Sequence, residues 1–220
     1  MRELTTTSYA LLAHLAVRSW SAYDLAQQMT RGLDVVWPRA AAGIYEEPKN
    51  LAAHGLARAR RERVGNRTRT IYQITPRGRR ALGEWLGRES APPRSESEAL
   101  LKVIFGEQGT KAQLLGTIRG VAADMERLRA RHMRQLQGYL DRGGPFPERW
   151  HVIGVGVRAL LMQLHAWEEW ARWAEAEVKG WRSTRPQGTR GAELIREAVE
   201  RYGAPSGGRR GGLEGSELLA

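Results

Sequence analysis

Within its first hundred residues the chain changes from helical to strand periodicity and back, which limits the folds open to it. Gly55 is well placed as the left-handed end of a helix. Residues 57–63 and 69–74 then alternate in the manner of strands, and Gly65 between them supplies the positive φ that hairpin turns often require. A hairpin therefore follows a helix directly.

Helical patterns surround this hairpin. Residues 6–17 carry apolar side chains at helical spacing, and Ser21-x-x-Asp24 resembles a capping box that starts a second helix. A third helix is predicted from Trp37-Pro38 to His54. Thr75-Pro76 is an N-cap followed by proline at the first helical position, with Leu82, Trp85 and Leu86 facing inward. Helix, helix, helix, hairpin, helix is the order of a winged helix-turn-helix domain.

The rest of the chain has a different pattern. Two long helices are predicted, at about 111–141 and 148–181, and Gly143-Gly144-Pro145 separates them. A Gly-rich and Arg-rich tail follows, in which residues 192–202 suit a small helix. We predict a mainly α protein with a winged helix-turn-helix domain at 1–89, a linker at 90–97, a helical dimerisation domain at 98–182 and a largely disordered tail at 183–220.

The last long helix carries the apolar stripe expected of an interface. Its apolar residues from Ile153 to Trp181 alternate at spacings of four and three without a break. Two long helices bury such stripes only against each other or against a partner. We therefore predict a homodimer whose interface includes Ile153, Val157, Leu160, Leu164, Trp167 and Ala171.

Charge points to a polyanionic partner. The formal net charge is +11, and residues 1–89 hold 15 Arg or Lys against 8 Asp or Glu. Residues 58–80 alone contain nine arginines and a single acid, Glu62. Such a cluster on a predicted hairpin favours double-stranded DNA as partner. A solvated, charged hairpin is the alternative.

The predicted DNA contacts lie on the third helix and on the wing. Small residues after Arg39 allow a helix start to approach DNA closely, while Glu46 and Glu47 would repel phosphate and are expected to point away or to pair with wing arginines. Tyr45 either contacts DNA or packs in the core. The candidate DNA-binding residues are Arg39, Tyr45, Lys49, Asn50, Arg61, Arg63, Asn66, Arg67 and Arg69.

Tryptophan is the other unusual feature, with eight residues in the chain. Four of them lie in the second half of the last long helix, from Trp167 to Trp181. One hypothesis is an aromatic pocket, with Trp167 and Trp170 binding a small aromatic or drug-like effector. The alternative is plain core and interface packing.

Other classes of protein are disfavoured. The chain has no cysteine, and its five histidines show no pair at ligand spacing, so no metal site is predicted. No nucleophile elbow and no phosphate-binding loop are present, so neither an enzyme nor a cofactor is expected. No apolar run reaches the length of a membrane span, and the N-terminal stretch does not match a signal peptide. A cytoplasmic location is the expectation.

The first domain resembles the PadR-like transcriptional regulators. The resemblance covers residues 5–87 and continues in the longer helical branch of that family over 97–182. It is carried by Ser8-Tyr9-Ala10-Leu11-Leu12, Ser21-Ala22-Tyr23-Asp24-Leu25, Trp37-Pro38, Ile44-Tyr45, Lys49-Asn50-Leu51, Gly55-Leu56 and Arg69-Thr70-Ile71-Tyr72-Gln73-Ile74-Thr75-Pro76-Arg77-Gly78-Arg79.

The resemblance implies a homodimeric repressor that binds an inverted-repeat operator and, in some members, releases it on binding phenolic acids or drug-like molecules. Two features depart from the family. Arg39-Ala40-Ala41 stands where many relatives have a capping Ser or Thr, and Pro48 stands where many have Leu. A nonspecific DNA-architectural protein, and a ligand-binding or adaptor protein that retains the winged fold, are the alternative functions.

Overall fold

The computed structural model describes residues 3–33, 37, 43–64, 67–93 and 95–203. The chain divides into two compact units, residues 1–94 and 95–220. We call their described parts the winged unit and the helical unit. The protein is mostly helical with one small antiparallel sheet, as the sequence predicts.

Seven elements form the winged unit and four helices form the helical unit. The first set is α1 (Thr6–Val17), β1 (Trp20–Ser21), α2 (Ala22–Leu33), α3 (Glu47–Ala53), β2 (Ala57–Val64), β3 (Arg67–Ile74) and α4 (Pro76–Leu86). The second is α5 (Glu98–Ile104), α6 (Lys111–Arg142), α7 (Trp150–Gly180) and α8 (Arg190–Tyr202). None of the described helices is both long enough and apolar enough to cross a membrane.

Side-chain caps start the helices of the winged unit where the sequence predicts them. The Ser21 hydroxyl accepts the Asp24 backbone N–H at 3.1 Å, which confirms the predicted start of α2. The Thr75 hydroxyl accepts the Gly78 N–H at 3.0 Å, and Pro76 follows at the first helical position. These local signals are strong because each cap satisfies a backbone donor that the helix leaves open.

Helix α3 is shorter in the described residues than the predicted third helix. It begins at Glu47 after a turn over residues 43–46, and the predicted start at residues 38–42 lies outside the described residues. Its end is as predicted: Gly55 has φ +68°, and the Leu56 N–H donates to the Leu51 carbonyl at 2.9 Å.

The sheet has three strands rather than the predicted two. β2 and β3 pair antiparallel, and the short strand β1 adds to the other side of β3, with Trp20 opposite Tyr72. A strand of two residues is too short to show any periodicity, so only the tertiary pairing reveals it.

One residue predicted to face inward is exposed. Tyr72 and Ile74 are buried, but Thr70 lies on the same face nearer the hairpin tip and is exposed. In α4 Leu82 is buried and Trp85 stacks on Tyr9 with 5.2 Å between ring centroids. Leu86, at the last position of α4, is 69% exposed, so its prediction is wrong.

In the helical unit α6 packs on α7. The shared core consists of buried residues from the first half of α6 and the second half of α7. Arg119 Nε donates to Glu175 at 2.7 Å and Arg129 Nε to Glu168 at 2.6 Å, which fixes the two helices as an antiparallel pair. The core residues are Leu114, Ile118, Val121, Ala171, Ala174 and Val178.

The start of the predicted disordered tail is ordered and docked on this pair. The Thr184 hydroxyl donates to the Gly109 carbonyl at 2.8 Å, and the Arg190 guanidinium binds both oxygens of Glu177 at 2.8 and 2.9 Å. The helix predicted at residues 192–202 is present as α8 (Arg190–Tyr202), and these polar contacts hold residues 183–203 although the segment buries little apolar surface. Residues 204–220 lie outside the described residues.

Candidate nucleic-acid interface

Helix α3 and the turn before it separate one buried face from one exposed face. Ile44 and Leu51 are 3% and 1% exposed and face the core of the winged unit. Tyr45 is 55% exposed, so it does not pack in this core, and the alternative that it is a core residue is wrong. Lys49 is also exposed, and its ammonium lies 2.9 Å from the Glu46 carboxylate. The surface formed by this turn and helix α3 therefore presents an aromatic ring and a cation.

The pairing of Lys49 with Glu46 has an electrostatic consequence. The hydrogen bond that Lys49 donates to Glu46, together with the charge of that carboxylate, raises the pKa of the Lys49 ammonium. Glu46 is thus occupied by a residue of its own helix and not by the wing. Both groups are solvated, so the pair exchanges readily for another anion, such as a phosphate.

Glu47 and Asn50 lie on the inner side of α3. Glu47 is 1% exposed, which satisfies the expectation that it points away from a polyanion. Asn50 is half-buried, and its amide nitrogen donates to Glu47 Oε1 at 3.1 Å. The sequence did not predict a functional role for the buried Glu47, although helical spacing places it on the inward face between Ile44 and Leu51.

On the wing, register decides which arginines share a face. Arg61 lies opposite Thr70 and Arg63 opposite Thr68, so both point to one face, as predicted from strand alternation. Both are exposed, and within the part of the chain that the structure describes Arg61 has no carboxylate partner.

The other face of the wing is partly neutralised. Arg69 lies opposite Glu62, with 3.4 Å between Nη2 and Oε2, and its Nη1 lies 3.8 Å from Asp24 of α2. Arg60 also approaches Glu62, at 3.6 Å, while Arg58 donates twice to the Gln73 amide oxygen. Arg69 therefore braces the hairpin against α2, a role that the sequence did not reveal.

Three predicted contacts are not fully described. Arg39 and Asn66 lie outside the described residues. Arg67 is the first residue of β3, opposite Val64, and its side chain is not described. The described candidates, Tyr45, Lys49, Asn50, Arg61, Arg63 and Arg69, all belong to the winged unit.

The predicted ligand and dimer residues lie on α7. Trp167 and Trp170 are half-buried, meet edge to face at 5.5 Å between centroids, and pack against the α6–α7 core. Leu164 and Ala171 are buried within the single chain at 3% and 0% exposure, so they are not available to a partner in this arrangement.

The remaining predicted interface residues are more exposed to solvent toward the start of α7. Val157 and Leu160 are half-buried, and Ile153 is exposed. The predicted stripe is thus divided, because α6 of the same chain already covers its second half. Apolar residues of the helical unit that stay exposed near the turn between α6 and α7 are Met133, Leu140, Val152, Ile153 and Val155.

Comparisons with known proteins agree with this architecture. Residues 11–84 match the family model of the transcriptional regulator PadR-like family. Among curated proteins, none matches the sequence. Solved structures of similar fold include Bacillus subtilis PadR in complex with operator DNA, which is 19% identical, has a TM-score of 0.70, and covers 79% of this chain and 99% of its own.

Two further structures are similar. Bacillus subtilis PadR in complex with p-coumaric acid is 18% identical with a TM-score of 0.63, and the match covers 81% of this chain and 100% of that one. The PadR-like transcriptional regulator BC1756 from Bacillus cereus is 16% identical with a TM-score of 0.66, covering 80% and 98%. Residues 11–84 are therefore a PadR-like family domain, in a chain with the fold that PadR-like transcriptional regulators share.

Proposed function

We propose that this chain is a sequence-specific DNA-binding transcriptional regulator that acts as a cytoplasmic homodimer on an inverted-repeat operator. The observation that carries the proposal is the exposure, within one unit, of Tyr45 in the turn before α3, of Lys49 on α3, and of Arg61 and Arg63 on the wing. The match of residues 11–84 to the PadR-like family and the operator complex of Bacillus subtilis PadR support it.

The exposed side chains suit two kinds of DNA contact, to phosphates and to base edges. Arg61 and Arg63 suit contacts to phosphates, because guanidinium groups bind phosphate oxygens with charge-assisted hydrogen bonds. Tyr45 and Asn50 suit base edges, and Lys49 suits either a phosphate or a guanine. From the sequence we further propose Arg39 at the start of the recognition helix and Asn66 and Arg67 at the wing tip.

Dimerisation is proposed through the helical unit. Val152, Ile153 and Val155 expose apolar surface at the start of α7, where α6 of the same chain leaves them uncovered. A second copy would bury this surface and set the distance between two recognition helices at about 34 Å, one DNA turn.

A small aromatic effector is proposed for Trp167 and Trp170. The p-coumaric acid complex of Bacillus subtilis PadR supports the class of ligand. An effector would act only through its difference in affinity between the DNA-competent arrangement of the dimer and the other arrangements. Repression is the regulatory mode that the resemblance implies.

Selection of duplexes from a random DNA pool at moderate salt tests the proposal. We expect enrichment of a palindrome with half-sites about one turn apart. Binding to DNA without enrichment of any sequence would favour a DNA-architectural protein. Absence of binding would favour an adaptor.

The charged side chains are tested on the selected duplex. We expect R61A/R63A to weaken binding to every duplex and to reduce the slope of the salt dependence by about 1 for each phosphate that the variant no longer binds. The matched control R196A/R201A removes the same charge from exposed positions of α8 and is expected to bind as the wild type does. Equal weakening in both variants would show that net charge alone drives binding.

A further inference from the structure

We propose that Glu47 is a positioning residue, which orients the recognition helix α3 through a buried hydrogen bond from Ser8 of α1. The inference rests on the proposed DNA-binding function and names a residue that touches no DNA. Glu47 and Ser8 are 39 residues apart in sequence, and their side chains are 1% and 0% exposed.

The geometry of this contact is directional. The Ser8 hydroxyl donates to Glu47 Oε1 at 2.5 Å, and the same hydroxyl oxygen accepts the Thr5 backbone N–H at 2.8 Å. Thr5 Oγ1 is farther away, at 3.3 Å, so the hydroxyl proton belongs to the bond with Glu47. One serine thus completes the capping box of α1 and binds α3.

Helix α3 depends on such a contact because its local signals are weak. It has seven residues, its N-cap Glu46 makes no side-chain capping bond, and Pro48 in its first turn has no N–H to donate. Isolated helices of this length are not stable in water. Contacts from the rest of the winged unit must therefore fix where α3 lies and how it is rotated.

Glu47 gives this packing a contact that has a direction. Burial of Ile44 and Leu51 favours an inward face but tolerates small rotations, whereas a buried hydrogen bond to the Ser8 hydroxyl constrains the rotation of the helix. Lys49 is two residues after Glu47, about 200° around the helix, so anchoring Glu47 inside keeps Lys49 outside.

Glu47 also holds a candidate base-reading side chain. Its Oε1 accepts the Asn50 amide at 3.1 Å, which sets the plane of that amide one turn along the helix. We infer that the chain Ser8, Glu47, Asn50 determines which base edge Asn50 meets. Loss of the chain then reduces discrimination between sequences more than it reduces affinity for DNA in general.

The decisive variant is S8A/E47L, because it replaces both partners with apolar groups and leaves no buried polar atom of the pair unsatisfied. Replacing both partners costs less stability than removing one of them, although the Thr5 backbone N–H and the Asn50 amide each lose an acceptor. We expect the affinity for the selected palindrome to fall about tenfold, with affinity for an unrelated duplex within about twofold of wild type. E47Q retains the acceptor oxygen and is expected to restore most of the discrimination.

Thr5→Ala separates positioning from helix stability. Thr5→Ala and Ser8→Ala each break the capping box of α1, but only Ser8→Ala removes the bond to Glu47. We expect discrimination to fall in Ser8→Ala and to persist in Thr5→Ala. Equal loss in both, or full discrimination in S8A/E47L, overturns the proposal.

Failure of the proposed function would appear differently. A wild-type chain that enriches no palindrome removes the DNA-binding proposal before any variant is compared. A wild-type chain that enriches one, while S8A/E47L discriminates equally well, removes only the role of Glu47. Should S8A/E47L not fold, the comparison of Ser8→Ala with Thr5→Ala decides.

Discussion

The winged unit covers its apolar side chains by itself, whereas the helical unit does not. Among the described residues, four large apolar side chains of the winged unit are exposed, against thirteen in the helical unit. The exposed four are Tyr23, Trp37, Tyr45 and Leu86. The described part of the winged unit therefore leaves little apolar surface exposed, which favours the proposal that the chain associates through the helical unit.

The difference follows from the lengths of the elements. α6 and α7 have 32 and 31 residues, so each presents more apolar surface than one antiparallel neighbour covers. In the winged unit the helices have 7 to 12 residues and enclose one core from several sides. The short elements of the winged unit close one core, whereas the long helices of the helical unit leave apolar surface exposed.

The largest effect is expected from Ile118→Ala in the α6–α7 core. Ile118 is 0% exposed, and truncation of such a residue costs about 4 kcal/mol in the free energy of unfolding. Ile153→Ala is the matched control at an exposed position. We expect it to leave the unfolding of a single chain unchanged and to raise the dimer dissociation constant, measured by sedimentation. Equal losses of stability in both variants would contradict the division of the α7 stripe.

The next effect tests the closed packing of the winged unit. A Cβ at Gly78 would collide with the Leu56 carbonyl oxygen and lie 2.9 Å from Ile74 Cγ1, so Gly78→Ala is expected to cost about 3 kcal/mol. Gly83, in the same helix, has nothing within 4 Å of such an atom. We expect Gly83→Ala to stabilise by about 0.5–1 kcal/mol in urea unfolding of the full chain. A neutral Gly78→Ala would show that α4 packs more loosely.

Acid is expected to loosen the docking of α8 in the helical unit. Hydrogen bonds from Arg190 and Trp181 lower the pKa of Glu177 from 4.5 to about 2. The stabilisation is therefore complete above about pH 4.5 and is lost as pH falls toward 2, amounting to about 1–2 kcal/mol after solvent screening. The protection factors of the α8 backbone amides against hydrogen exchange, measured as a function of pH, report this loss.

Glu177→Gln provides the control for this acid transition. In this variant the protection factors of the α8 amides are expected to be low already at pH 6, with little further decrease on acidification. Glu200→Gln, at an exposed position of α8, is expected to behave as the wild type does. An unchanged pH dependence in Glu177→Gln would assign the transition to another group.

The smallest effect compares the caps of the two units. Thr110→Ala removes the capping box of α6 and is expected to cost about 1 kcal/mol. Thr75→Ala is expected to cost more, because the Thr75 hydroxyl also donates to the Gly55 carbonyl at 2.8 Å. Thermal unfolding of the two variants measures the difference, and equal costs would show that the bond to Gly55 adds nothing.

Several features of the fold were predictable because their signals are local. Ser21, Gly55 and Thr75 mark helix ends whose backbone groups are satisfied within a few residues, and each lies where its pattern predicted. Alternation placed Arg61 and Arg63 on one face of the wing for the same reason.

Other features were not predictable because their partners are distant in sequence. The pairing of β1 with β3, the brace from Arg69 to Asp24 and the docking of Arg190 on Glu177 each depend on which elements become neighbours. The prediction for the α7 stripe failed at Leu164 and Ala171 because periodicity identifies an apolar face without identifying what covers it.

By itself the sequence determined the order of the helices and of the two wing strands, most of their ends and the concentration of arginine on the wing, since these follow from spacing and residue type along the chain. The tertiary structure alone decided which part of each face is covered and that Glu47 is bound to Ser8 inside the core. Burial and hydrogen bonding between distant residues arise only when the chain has closed, because they depend on three-dimensional proximity.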